Sequence, residues 1–524
     1  MNWDMFIKAA MVVVFFGTMI GVGFYCRKHS TDVNGFVLGG RSVGPWLTAF
    51  AYGTSYFSAV VFVGYAGQFG WKFGVAATWA GIGNALLGSM LAWAILGRRT
   101  RVMTQHLNSA TMPQFFESRF DSKKLKLAAS VIIFVFLIPY TASLYNGLSR
   151  LFGMAFNIDY SVCVIVMAIL TAVYVIAGGY MATAINDFIQ GIVMIFGIIA
   201  VIVAVMNDNG GFKEAMNSLS QVTDTAENIP AGSFSSFFGP DPIGLLGVVL
   251  LTSLGTWGLP QMVQKFYAIK SEKAINKGMI ISTVFALIVA GGCYFLGGFG
   301  RLVFPSTEAM QAAGNYDAII PTMLENLSPV LIGIVVVLVL SASMSTLSSL
   351  VMTSSSTLTL DFIKGTICKK LSEKRQLLII RILIAVFIAI SVVIAIVQHS
   401  KGIAFIAQLM GISWGALAGA FLGPFLYGLY WKRTSKLSVW VCFVFSCVVM
   451  IANMFFKSYF PAILQSPINA GVFCMLASLV IVPVVSLLSK APEKEYVENI
   501  FSCYDKKVVV SAKDAIGEPV KEDV

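Results

Sequence analysis

Seventeen residues from Ser341 to Thr357 carry eight serines and three threonines inside an otherwise apolar run. Ala342, Ser345, Thr346, Ser349 and Thr353 recur at i, i+3, i+4, i+7 and i+11. A helix would gather them on one face, with Ser348 beside it. Hydroxyl oxygens grouped in this way are hard ligands, suited to a hard cation. The same groups can instead bond back to the i−4 carbonyl or join one helix to another, and spacing alone leaves both readings open. Asp187, in "GGYMATAINDFIQG", is the second candidate. It falls at the predicted inner end of a span, where a carboxylate marks either a functional position or a hydrated terminus.

Two further stretches have the composition of interrupted helices. "AYGTSYFSAVVFVGYAG" (51–67) places glycines and small polar residues in mid-span, and "SLGTWGLPQMVQKF" (253–266) contains Pro260, which lacks a backbone donor, two residues after Gly258. Freed carbonyls at such breaks can coordinate a cation. Breaks at corresponding positions of two halves point to a transporter binding site.

The elements that would hold these groups are membrane spans. The 524-residue chain is 57% hydrophobic and 12% charged, half the charge of a soluble domain. Windows of about twenty apolar residues predict an all-α polytopic membrane protein with thirteen spans. They lie near 5–25, 44–66, 73–97, 127–150, 159–181, 186–207, 241–263, 275–300, 329–352, 377–399, 402–430, 437–457 and 468–489. The first lacks a basic leader and a small-residue cleavage site and reads as a retained span. With the N-terminus outside, 29 of the 36 Lys and Arg fall in inner segments, which predicts N-out, C-in. The net charge of +11 is therefore a topological signal rather than a nucleic-acid footprint. The eight cysteines lack C-x-x-C, and His29, His106 and His399 are isolated, so neither a disulfide framework nor a zinc site is indicated.

The division that follows is an extra span and first inner loop (1–43), a first five-helix block (44–207) and an outer loop (208–240). A second five-helix block (241–430), two further spans (431–489) and a cytoplasmic tail (490–524) complete it. Five spans per block set the second block upside down relative to the first.

At this point four ordered motifs resemble the sodium:solute symporter family: "FVLGGRSVGPW" (36–46), "GGYMATAINDFIQ" (178–190), "SASMSTLSS" (341–349) and "GALAGAFLGPFLYGLYWKR" (415–433). The resemblance covers roughly 5–460 and implies a leucine-transporter-type 5+5 inverted repeat. It implies a main sodium site from the carbonyls of Thr54, Phe57 and Ala342 and the hydroxyls of Ser345 and Thr346. A second sodium would use Asp187, Ser345, Ser348 and Ser349. The chain departs from the sodium/proline branch at Tyr56, where that branch has Asp, and at Thr252 and Thr256, where it has aromatics. Ser354–Ser356 are expected past the inner span end, on wet surface or an inner vestibule.

The expected function is sodium-coupled import of a small organic solute by alternating access across the plasma membrane. The solute, an amino acid or a carboxylate such as proline or pantothenate, is expected between the two breaks near Tyr56, Ser58, Trp257, Pro260 and Gln261. Sodium is the co-transported ion, the bilayer and the solute are the partners, and no obligate protein partner is evident. Proton coupling through Asp187 is the alternative. A membrane-embedded transferase would need a His/Asp/Glu cluster beyond His106 and Glu117, and a channel would need a charge ring or a filter repeat. A solute sensor without transport remains as a further reading.

Overall fold

A computed structural model describes residues 3–27, 32–156, 158–312, 316–368, 370–401 and 406–505. Among them there is no β-strand, only two isolated bridges. The long helices are α1 (Trp3–Cys26), α2 (Pro45–Tyr56), α3 (60–73), α4 (78–106), α5 (Lys123–Phe156), α6 (Tyr160–Asp208) and α7 (Pro242–Gly258). There follow α8 (Pro260–Ala268), α9 (Glu272–Gly297), α10 (Pro329–Thr357), α11 (Glu373–Lys401), α12 (Ile406–Tyr430), α13 (Lys436–Phe456) and α14 (Pro467–Leu488). Their starts follow ordinary capping chemistry. Asp241, Ser271 and Ser328 accept from the Gly244, Ala274 and Leu331 amides at the heads of α7, α9 and α10.

Ten helical runs among the described residues are long and apolar enough to cross a membrane, or eleven if the bent pair α7–α8 is one span. The sequence predicts thirteen, and the difference arises where consecutive spans join. α6 has 49 residues. At 1.5 Å per residue it is about 70 Å long, more than twice a hydrocarbon core of about 30 Å. It contains two predicted spans, and its helical geometry is interrupted at Gly179, with φ 58° and ψ −154°. A Cβ at that position would press on the Phe36 backbone and ring. In the same way α3 runs on into α4 over Val60–His106.

Both expected breaks are present. Leu259 is extended between α7 and α8 (φ −80°, ψ 122°) because Pro260 excludes the helical region for the residue before it, and the axis bends by 48°. Phe57 is extended between α2 and α3 (φ −82°, ψ 118°), and Ser58 restarts the helix by accepting the Val60 amide at 3.2 Å.

The broken pairs run in opposite directions. Val43, before α2, donates to Ala268 O at 3.3 Å at the end of α8, and Lys270 donates back to Val43 O at 3.0 Å. At the opposite end Lys72 of α3 pairs with Asp241, the cap of α7, at 3.1 Å. The breaks therefore lie side by side in the interior. Of the ten membrane-length runs, those containing α12 and α10 are the most enclosed. α1, α6, α11 and α13 turn apolar side chains such as Val13, Phe196, Val393 and Val444 outward.

Candidate functional site

The C-terminal end of a helix leaves carbonyls without amide partners and carries the negative end of the helix dipole. The break after α2 buries such an end at Thr54 and Phe57. α10 answers with hydroxyls. Thr346 Oγ1 lies 3.1 Å from Thr54 O, 3.3 Å from Phe57 O and 3.1 Å from Ala342 O, and its one proton can be donated to any of the three. Ser345 Oγ lies 3.1 Å from Thr54 O and 3.0 Å from Ala342 O. All five residues are at most 1% exposed. The structure thus brings together every residue of the first expected set. α10 is further fixed by Tyr174, which donates to Met344 O at 2.8 Å, and by Ser343, which accepts the Ala59 amide at 3.3 Å.

The second expected set has a different arrangement. Asp187 is not at a hydrated span end: it lies within α6 with no exposed surface, and neither carboxylate oxygen has a hydrogen-bond partner. Lys265 Nζ of α8 stands 3.8 Å from its Oδ2, donates to Ser349 Oγ at 3.1 Å and lies 5.2 Å from the centre of the Tyr180 ring. Ser349 in turn is 2.9 Å from Ser55 Oγ, next to Thr54. Ser348 bonds back to Ser345 O at 2.8 Å. Sequence reasoning missed Lys265 because it counts among the basic residues just inside the predicted span 241–263, yet the side chain is 3% exposed.

Ser354, Ser355 and Ser356 correct the expectation of wet surface. The helix continues past Thr357 with wider turns to Ile367, and all three are fully buried. Ser356 bonds to Met352 O, whereas the Ser354 and Ser355 hydroxyls have no hydrogen-bond partner.

The expected solute residues line the breaks unequally. Tyr56 ends α2, and its side chain lies outside the described residues. Ser58 caps α3. The Trp257 indole donates to Leu87 O at 2.9 Å. Thr252 and Thr256 spend their hydroxyls on backbone carbonyls, Thr256 reaching Gly88 O at 2.9 Å. Gln261, beside Pro260 at the head of α8, is fully buried, and neither end of its amide has a partner.

The family model of the sodium:solute symporter family matches residues 36–441. Curated sodium/proline symporters of Staphylococcus aureus, those of strains JH9 and JH1 among them, are each 30% identical over 446 residues. These alignments cover 83% of this chain and 83% of each relative. The fold is similar to that of a Na+-coupled sialic acid symporter solved in a substrate-bound outward-open state, at TM-score 0.73 and 17% identity. That match covers 93% of this chain and 99% of the other.

Proposed function

The chain belongs to the sodium:solute symporter family, and from that premise we propose that it imports a small organic solute, coupled to sodium, by alternating access. The observation that carries this reading is the convergence of Thr54, Phe57, Ala342, Ser345 and Thr346 on one point between α10 and the end of α2. A sodium ion entering there would exchange hydroxyl–carbonyl hydrogen bonds for ion–oxygen contacts. It would fasten α10 to the broken helix and stabilise the solute-competent state, so ion and solute favour each other's binding. Each charge moved down the membrane potential supplies about 2.3 kcal/mol per 100 mV.

The opposed directions of the two broken pairs support a 5+5 inverted repeat over 44–207 and 241–430, with thirteen crossings once α6 and the α3–α4 run are each counted twice and each broken pair once. The bias of Lys and Arg supports a plasma-membrane topology with the N-terminus outside and the C-terminus in the cytoplasm. Asp187, Ser345, Ser348 and Ser349 form a further cation position. For the solute, the unpartnered Gln261 amide offers a donor and an acceptor beside the break, which suits an amino acid or carboxylate of the proline or pantothenate kind. The Staphylococcus aureus relatives are sodium/proline symporters.

Uptake of labelled proline, pantothenate, sugars and sialic acid into proteoliposomes tests this, with sodium, potassium and pH gradients imposed separately. Sodium-driven accumulation of one solute is expected. Accumulation driven by pH and not by sodium would transfer the coupling to a proton on Asp187 and overturn the sodium reading.

A further inference from the structure

We propose that the Lys265 ammonium is a tethered cation filling the further cation position, so that the protein binds one sodium rather than two. This rests on the sodium-coupled reading above. A buried carboxylate without hydrogen bonds stays ionised only beside a positive charge. Asp187 is such a carboxylate, and the ammonium at 3.8 Å is its counter-charge.

The surroundings of Nζ are those a small cation would seek: a carboxylate, the Ser349 hydroxyl at 3.1 Å and the face of Tyr180 at 5.2 Å. Its attachments also do what a second ion would do. They tie α8 to α6 through Asp187 and to α10 through Ser349. Through Ser55, 2.9 Å from Ser349, they reach the end of α2 that supplies Thr54 to the first site. A free sodium in the same position would meet the ammonium at a few ångströms. Two like charges about 4 Å apart, at the effective dielectric of a protein, weaken binding about a thousandfold. The tethered charge therefore excludes the second ion while keeping its link between the two broken helices. Because the ammonium stays with the protein, it contributes nothing to the charge carried per cycle.

Equilibrium binding of radioactive sodium to the full chain in nanodiscs tests this. Wild type should bind about one ion with a Hill coefficient of about 1. Lys265→Met should bind about two with the coefficient rising towards 2, and sodium should stabilise it against heat more than it stabilises wild type. Two ions on wild type, or one on a folded Lys265→Met, would overturn the proposal. Where Lys265→Met folds only in high sodium, the added ion has replaced the ammonium, which supports it. Where it does not fold at all, the double variant Asp187→Asn/Lys265→Met decides: one ion is expected, and two would overturn the proposal. No sodium bound by wild type would overturn the sodium-coupled reading itself.

Discussion

Two ion pairs are buried among the described residues, and they are built in opposite ways. Arg301, just beyond α9, places Nη1 2.6 Å from Asp224 Oδ2, donates to Trp71 O at 2.9 Å and to Pro305 O at 3.1 Å, and lies 3.4 Å from the Trp71 ring centre. Thr307 adds a second donor to the same Asp224 oxygen at 2.8 Å. Lys265 and Asp187 are equally buried, yet they stand 3.8 Å apart, and the carboxylate accepts no hydrogen bond. A guanidinium is a planar fork that fixes its partners' geometry, whereas an ammonium is a compact charge on a flexible stem. The first pair pins the 208–240 segment across α3 and α9, at the opposite end from the Val43–Ala268 contact. The second keeps unfilled bonding capacity in the interior, between helices that the proposed alternating access would move. A pair held by several hydrogen bonds serves as a clamp; one whose carboxylate accepts none can exchange partners.

The sharpest way to break that contrast is to remove the clamp. Arg301→Ala leaves Asp224 as an uncompensated buried charge and should cost about 3–5 kcal/mol of stability, read as a large fall in the thermal unfolding midpoint of the purified protein. A midpoint close to wild type would show that the pair is not a clamp.

The next effect belongs to function rather than folding. Thr346→Val keeps the side-chain shape and deletes the hydroxyl facing Thr54, Phe57 and Ala342. A bond to a charged group is worth about 1.5–3 kcal/mol, so the half-saturating sodium concentration for uptake should rise roughly tenfold to a hundredfold. Uptake lowered equally at every sodium concentration would instead place Thr346 outside the ion site.

The same contrast explains what could be read from the sequence. The hydroxyl face of α10 and the break after α2 were legible because their signals are local, hydroxyls at helical spacing on one span and small residues that interrupt another, whereas the grouping of Thr54, Phe57 and Ala342 with Ser345 and Thr346 came from the family resemblance. Pro260 likewise dictates an extended Leu259 without any tertiary information. Lys265 was not legible, since a lysine close to a span end looks like a topological charge, and only the packing of α8 against α6 reveals Asp187 opposite it. Ser354–Ser356 were misplaced for a related reason: the helix carries on in wider turns, and hydropathy windows do not see that continuation. The span count differs because α6 and the α3–α4 run each continue from one predicted span into the next, so the helices are fewer than the predicted crossings.

The smallest effect concerns protonation of the clamp. Burial alone would raise the Asp224 carboxyl above the ordinary carboxylate value, but the hydrogen bonds and charge of Arg301 and the hydroxyl of Thr307 outweigh it, and the group is held below that value. A carboxyl whose pKa is depressed on folding contributes stability in full above its unfolded pKa of about 3.9, and that contribution disappears as pH falls through the folded value. The gap in unfolding midpoint between wild type and Asp224→Asn should therefore be constant from pH 7 to about pH 5 and narrow below about pH 4. The change is modest because Arg301 keeps its bonds to the Trp71 and Pro305 carbonyls in either protonation state. A gap that stays constant down to pH 3 would mean that the carbonyls and the Trp71 ring hold the guanidinium without help from the carboxylate charge, and the clamp would then be a hydrogen-bonded stack rather than an ion pair.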